Sequence, residues 1–96
     1  LSKLTKASEG TDCVRCGSSG AYSCHYNGSR QHDYGKGRGI KSNDMATAEL
    51  CYNCDQVFTE GSTHWQWAGK WERSEEFLHL IMLTNIRRFD KGVLKI

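Results

Sequence analysis

Cys13-Val14-Arg15-Cys16 and Cys51-Tyr52-Asn53-Cys54 put two Cys-x-x-Cys pairs into a chain of 96 residues. Each pair has the spacing of a zinc knuckle, and four thiolates from two knuckles make a tetrahedral structural zinc site. A fifth cysteine, Cys24, makes the count odd. That argues for metal in a reducing compartment rather than for a disulfide framework. Cys24 itself reads as a half-buried strand residue, because a free cysteine behaves as a small hydrophobe.

Further chemistry is offered around the two pairs. His25 stands just before a long loop, and imidazole is the side chain suited to taking a proton from water near neutral pH. Asp55 directly follows Cys54 and, with Asp44, offers carboxylate oxygens to a hard divalent cation. Asn43 is placed to orient the histidine. The loop, NGSRQHDYGKGRG over residues 27–39, interleaves glycines with basic side chains. Arg30, His32, Lys36, Arg38 and Lys41 are therefore the expected phosphate contacts. No GxxxxGK[ST] pattern occurs, which excludes a nucleotide P-loop.

The formal charge of +2 conceals an uneven distribution. Residues 25–41 carry four cations against Asp33, whereas residues 42–60 carry only the acids Asp44, Glu49, Asp55 and Glu60. The first stretch suits phosphate and the second a divalent cation.

The elements that must position these residues follow from pattern. Residues 1–12 are polar and expected to fray, with a short turn near Leu4. Gly17 allows the tight turn of the first knuckle. Residues 21–26 alternate and read as a strand, and residues 40–50 should hold its return partner. A short helix is expected after Cys51, stopped by Gly61. Trp65, Trp67 and Trp71 suggest a hydrophobic lid over the zinc region. Residues 72–90 carry the strongest helix pattern, with Ser74 as N-cap, and with Phe77, Leu80, Ile81, Leu83, Ile86 and Phe89 as an apolar stripe. Gly92 suits its C-terminal stop, and residues 93–96 suggest a terminal strand. The 34 residues between the knuckles, 17 to 50, exceed the roughly 15–20 of a simple zinc ribbon and have room for strand, loop and strand.

The chain is expected to be one small α+β domain, with residues 13–61 as a zinc-clamped ββα core and residues 72–91 as a long C-terminal helix. Only 38% of residues are hydrophobic, so metal binding is expected to supply part of the stability. With no membrane-length apolar run and no secretion signal, the chain reads as soluble and intracellular.

The run CHYNGSRQHDYGKGRG (residues 24–39), continued in residues 50–54, 74–79, 84–89 and 92–95, resembles the YbcO-type family of small phage and prophage nucleases. These are HNH-like proteins of the ββα-metal superfamily. The resemblance implies a treble-clef-like zinc core and a metal-dependent endonuclease that hydrolyses DNA phosphodiesters in phage recombination or DNA processing, in the cytoplasm of a bacterial host. It implies His25 as base with Asn43, and Mg²⁺ or Mn²⁺ as catalytic cation on Asp55 and Asp44. The family pattern reads Cys-x-x-Cys-His, and Asp55 takes the place of that histidine; a carboxylate there favours Mg²⁺ or Mn²⁺ over softer ions. A chain this small would act on two strands as a homodimer. The rival reading is a non-catalytic zinc module that binds nucleic acid, which needs neither His25 nor Asp55. A third is an interaction adaptor using the tryptophans.

Overall fold

The computed structural model of the chain describes residues 3–28, 30–35, 37, 41, 43–58 and 70–94. Lys36, Arg38, Gly61, Trp65, Trp67 and residues 95–96 lie outside them. The described elements are α1 (Lys3–Ala7), β1 (Tyr22–His25), a 3-10 turn (Gln31–Tyr34), β2 (Thr47–Leu50), α2 (Tyr52–Val57) and α3 (Lys70–Asp90). This is a small α+β arrangement, a two-stranded sheet with three helices, the last of them long. Among the described residues no helix is long and apolar enough to cross a membrane.

β1 and β2 pair antiparallel, with Tyr22 opposite Leu50, Ser23 opposite Glu49, Cys24 opposite Ala48 and His25 opposite Thr47. Side chains alternate along a strand and cross-strand partners share a face. Tyr22 and Cys24 therefore point one way, and Ser23 and His25 the other. A lone hairpin is marginal in water, so both faces and the free edge need cover. On the Tyr22–Cys24 face, Cys24, Tyr26, Ala48, Leu50, Val57, Phe58, Phe77, Leu80 and Ile81 belong to one buried core. Tyr26 meets Phe77 edge-on at 5.5 Å between ring centroids, and Phe58 lies 4.8 Å from Phe77. Gly28 is dictated by this packing, because a Cβ there would sit 2.5 Å from the Tyr26 hydroxyl oxygen.

α3 covers the outer edge of β2. The Glu49 N–H donates to Thr84 Oγ1 at 3.0 Å, and the Glu49 carbonyl accepts from the Val14 N–H at 2.9 Å. On the Ser23–His25 face, the wholly buried Arg88 donates to Ser8, Ser23 and Thr47 hydroxyls at 2.8–3.2 Å and to Asn85 Oδ1 at 3.0 Å. Burial lowers the Arg88 pKa from its ordinary value, while Glu49 and Asp44 oppose that shift. Arg87 pairs with the buried Glu49 carboxylate at 2.9 Å.

Four expectations are corrected here. The N-terminal stretch does not simply fray: α1 forms, Thr5 and Ser8 are buried, and Thr11 bridges Ala21. The Arg88 guanidinium recruits Ser8, a long-range partner that local composition does not reveal. α3 starts a turn earlier than expected, so Ser74 is not its N-cap but a buried residue within it, hydrogen-bonded to the Tyr26 hydroxyl. The apolar stripe also divides. Phe77, Leu80 and Ile81 are buried, whereas Leu83, Ile86 and Phe89 are exposed. In the second half of α3 the inward positions belong to Thr84 and Arg88, because the β2 edge and the hydroxyl cluster need polar partners. Gly92 has φ +77° and closes the helix as expected. Val93 and Leu94 bend back, their N–H groups donating to the Arg88 carbonyl, and form no strand.

Candidate metal centre and histidine–aspartate pair

The first knuckle is shaped by Gly17, whose φ of +83° lets its N–H reach the Cys13 carbonyl at 2.9 Å. The second knuckle opens α2, where Cys51 precedes the helix and Cys54 lies on its first turn. The Val14–Glu49 backbone bond brings the two together. Ligand atoms of Cys13, Cys16, Cys51 and Cys54 all lie within 4.8 Å of one another, and Cys16 Sγ is 3.6 Å from Cys51 Sγ. A tetrahedral Zn–S₄ site with Zn–S bonds near 2.3 Å needs sulfurs about 3.8 Å apart, so donor type and spacing both fit. Among the described residues this is the one group of three or more His, Cys, Asp or Glu side chains that can hold a metal ion.

The four sulfurs are not equivalent. Cys16 is exposed, and its Sγ lies 3.1 Å from Ser18 Oγ. Donation from Ser18 to the thiolate holds the Cys16 thiol down to about 6. Burial pushes Cys54 up to about 12, although Arg15 Nη1 at 3.5 Å opposes the shift. At Cys13 burial acts upward too, but the backbone groups of Cys51, Cys16 and Arg15 outweigh it and the net shift is downward. Arg15 brings positive charge to a centre that would carry four negative thiolates, as an outer-shell partner should.

His25 and Asp44 form a second constellation. His25 Nε2 lies 2.9 Å from Asp44 Oδ1, with the two side chains 22% and 41% exposed. Asp44 is supported in turn, because Thr47 Oγ1 donates to its carbonyl at 2.7 Å and receives Arg88. The pair sits at the neck of the long loop. Within that loop the Arg30 N–H donates to the Tyr26 hydroxyl, Tyr34 packs edge-on against Tyr26, and the Asn43 N–H donates to the Tyr34 carbonyl at 2.6 Å. Arg30, His32 and Lys41 are all exposed.

The remaining expected residues fall elsewhere. Asn43 does not orient His25; its Oδ1 accepts the Met45 N–H at 2.9 Å and shapes the turn, so Asp44 takes that role one residue on. Asp44 and Asp55 are not gathered into one cation site. Asp55 Oδ2 accepts the Tyr22 hydroxyl at 2.8 Å on the other face of the hairpin. Burial, then Asp55, raise the Tyr22 pKa, and burial, then Asp55, raise that of the buried Cys24. Tyr22 and Arg88 are the positioning residues that sequence reasoning missed. For Tyr22 the available signal was strand parity, since residue 22 shares a face with the start of α2; nothing local marks Arg88. No protein family, curated protein or solved structure matches this chain.

Proposed function

We propose that the chain is a zinc-clamped, HNH-like hydrolase of DNA phosphodiesters, with His25 as the general base. The observation that carries this is the His25–Asp44 pair at the neck of the basic loop. A carboxylate bonded to Nε2 fixes the ring and its tautomer and stabilises the imidazolium that forms on proton uptake, leaving Nδ1 to meet a water. The order β1, loop, β2, α2, closed by the four-cysteine centre, is the order of a ββα unit. Arg30 and Lys41, with Lys36 and Arg38, would hold the phosphate and orient the attack. The Mg²⁺ or Mn²⁺ expected on Asp55 and Asp44 has no shared site, because Asp55 bonds Tyr22 across the hairpin from His25, so the reading rests on the His25–Asp44 pair and the basic loop.

One observation favours the rival, a zinc module that binds nucleic acid without cutting it: Asp44 and Asp55 each bond a protein side chain, on opposite faces of the hairpin. Plasmid nicking with Mg²⁺ or Mn²⁺ separates the readings. His25→Ala should lose at least about 100-fold in rate while keeping its zinc and its DNA affinity. Asp44→Asn should lose less, because the ring stays in place but loses its anionic partner. Equal nicking by wild type and His25→Ala refutes His25 as the base, and none by either refutes hydrolysis; salt-sensitive binding in the second case selects the binding module.

A further inference from the structure

Met82, Ile86 and Phe89 stand at i, i+4 and i+7 of α3, one stripe of a 3.6-residue helix, and are 61%, 50% and 50% exposed. Leu83 flanks them at 39% exposure, and Met45 joins them from the sheet side at 48%. Met45 is held there because Asn85 Nδ2 donates to its carbonyl at 2.8 Å, while Asn85 Oδ1 accepts from Arg88. Asn85 thus spends its polar groups internally, and Met82, Leu83, Ile86 and Phe89 form one apolar face of α3, with the exposed Met45 tethered beside it through its carbonyl. The core-facing side of this half of α3 is already filled by Thr84 and Arg88, so among the described residues the patch has no place in the monomer's interior.

We infer that this face is the interface of a homodimer in which α3 packs antiparallel on α3 of a second copy, with the two-fold axis at Ile86. An isologous interface must be self-complementary, and this patch is. About Ile86, the axis sets Ile86 on the partner's Ile86 and Leu83 (three residues before) on the partner's Phe89 (three after), with Met82 beside the partner's Asp90 where the apolar centre gives way to the rim. The patch offers roughly 400–500 Å² per copy, at the upper end of what a monomer leaves exposed. Doubled across a two-fold, it reaches the roughly 1,000 Å² that separates specific interfaces from incidental ones once a polar rim is added. His79 and Asp90, both exposed, stand at the two ends of the stripe and supply that rim. The core of the contact, unbroken by charge, matches the apolar centre expected of homodimer interfaces. The inference is independent of the hydrolytic reading, but it bears on it. Met45 follows Asp44, so each His25–Asp44 pair lies beside the interface and the dimer carries two of them.

Sedimentation velocity of the zinc-loaded full chain across about 5–500 µM tests this. Wild type should dimerise with a Kd on the order of tens of micromolar, the range of a small interface. Ile86→Lys and Ile86→Glu should each weaken association at least about 100-fold, as charges buried on the axis repel their own copies. An equimolar mixture of the two should recover association, because Lys then faces Glu. Unchanged α3 circular dichroism and zinc content in both variants exclude misfolding. A wild type that stays monomeric throughout overturns the inference, and a loss of melting temperature in monomeric Ile86→Lys would then assign the face to an intramolecular cover. Dimerisation unaffected by either variant, or a mixture that fails to re-associate, overturns the axis at Ile86.

Discussion

Removing the metal from the four-cysteine centre should unfold this protein or bring it close to unfolding, and the size of the effect follows from the chain path. The centre ties residue 13 to residue 54 and encloses a loop of about forty residues. Treated as a cross-link of that length, it removes denatured-state entropy worth about 4 kcal/mol at 25 °C. A domain of this size has a total stability on the order of 5–14 kcal/mol. Three of the ligands, Cys13, Cys51 and Cys54, are also part of the buried core, so the lost restraint falls where α2 meets the hairpin. A loss of about 4 kcal/mol lowers the folding constant by nearly three decades and the melting temperature by about 15–30 °C. The assay is thermal melting followed at the helical band, dominated by the 21 residues of α3, before chelation, after chelation and after zinc is restored. Metal analysis must show at least about 0.8 equivalent before and less than about 0.1 after. If verified metal-free protein melts within a few degrees of the loaded form, the clamp contributes little and the loop-entropy argument is wrong.

Two further outcomes are expected. In reduced, metal-free protein, iodoacetamide at pH 7 should label Cys16 first, since a thiol held to about 6 is about nine-tenths thiolate there, while buried Cys24 and Cys54, raised by burial, lag. A folded-state value depressed from 9.0 adds stability that is fully present above 9.0 and lost as pH falls through about 6. Labelling of Cys16 should hold from pH 9 to 7 and fall as pH passes about 6, and equal labelling of all five cysteines would refute the assignment. Thr84→Val keeps the shape of the side chain but deprives the buried Glu49 N–H of its acceptor. It should cost about 1–3 kcal/mol in urea unfolding, and no change would mean that the β2 edge finds another partner.

The parts of this protein that local pattern specifies are the parts legible in its sequence. Cysteine spacing and Gly17 point to the four-cysteine centre, alternation over residues 21–26 to β1, and the glycine after residue 91 to the end of α3. Cross-chain choices were less visible. Asn43 and Asp44 are adjacent and both able to face His25; the turn captures Asn43 through the Met45 N–H, which leaves Asp44 for the ring. Leu83, Ile86 and Phe89 match a core stripe by composition. Helix rotation is decided instead by Thr84 and Arg88, which turn inward because unpaired backbone and hydroxyl groups cost more to bury than exposed leucine costs to leave out.

The Arg88 cluster also sets an order of events during synthesis. Its guanidinium joins residues 8, 23 and 47 to residue 88, and the Val93 and Leu94 N–H groups then close on the Arg88 carbonyl. Ser8 and Ser23 emerge from the ribosome long before the group that neutralises their burial exists. The hairpin and both knuckles can be made early, yet the face of the sheet that carries His25 has no fixed packing until residue 88 has been added, 41 residues after Thr47. The four-cysteine centre can therefore close first and hold the hairpin while its opposite face waits, so the two faces of one sheet depend on contacts made at different times.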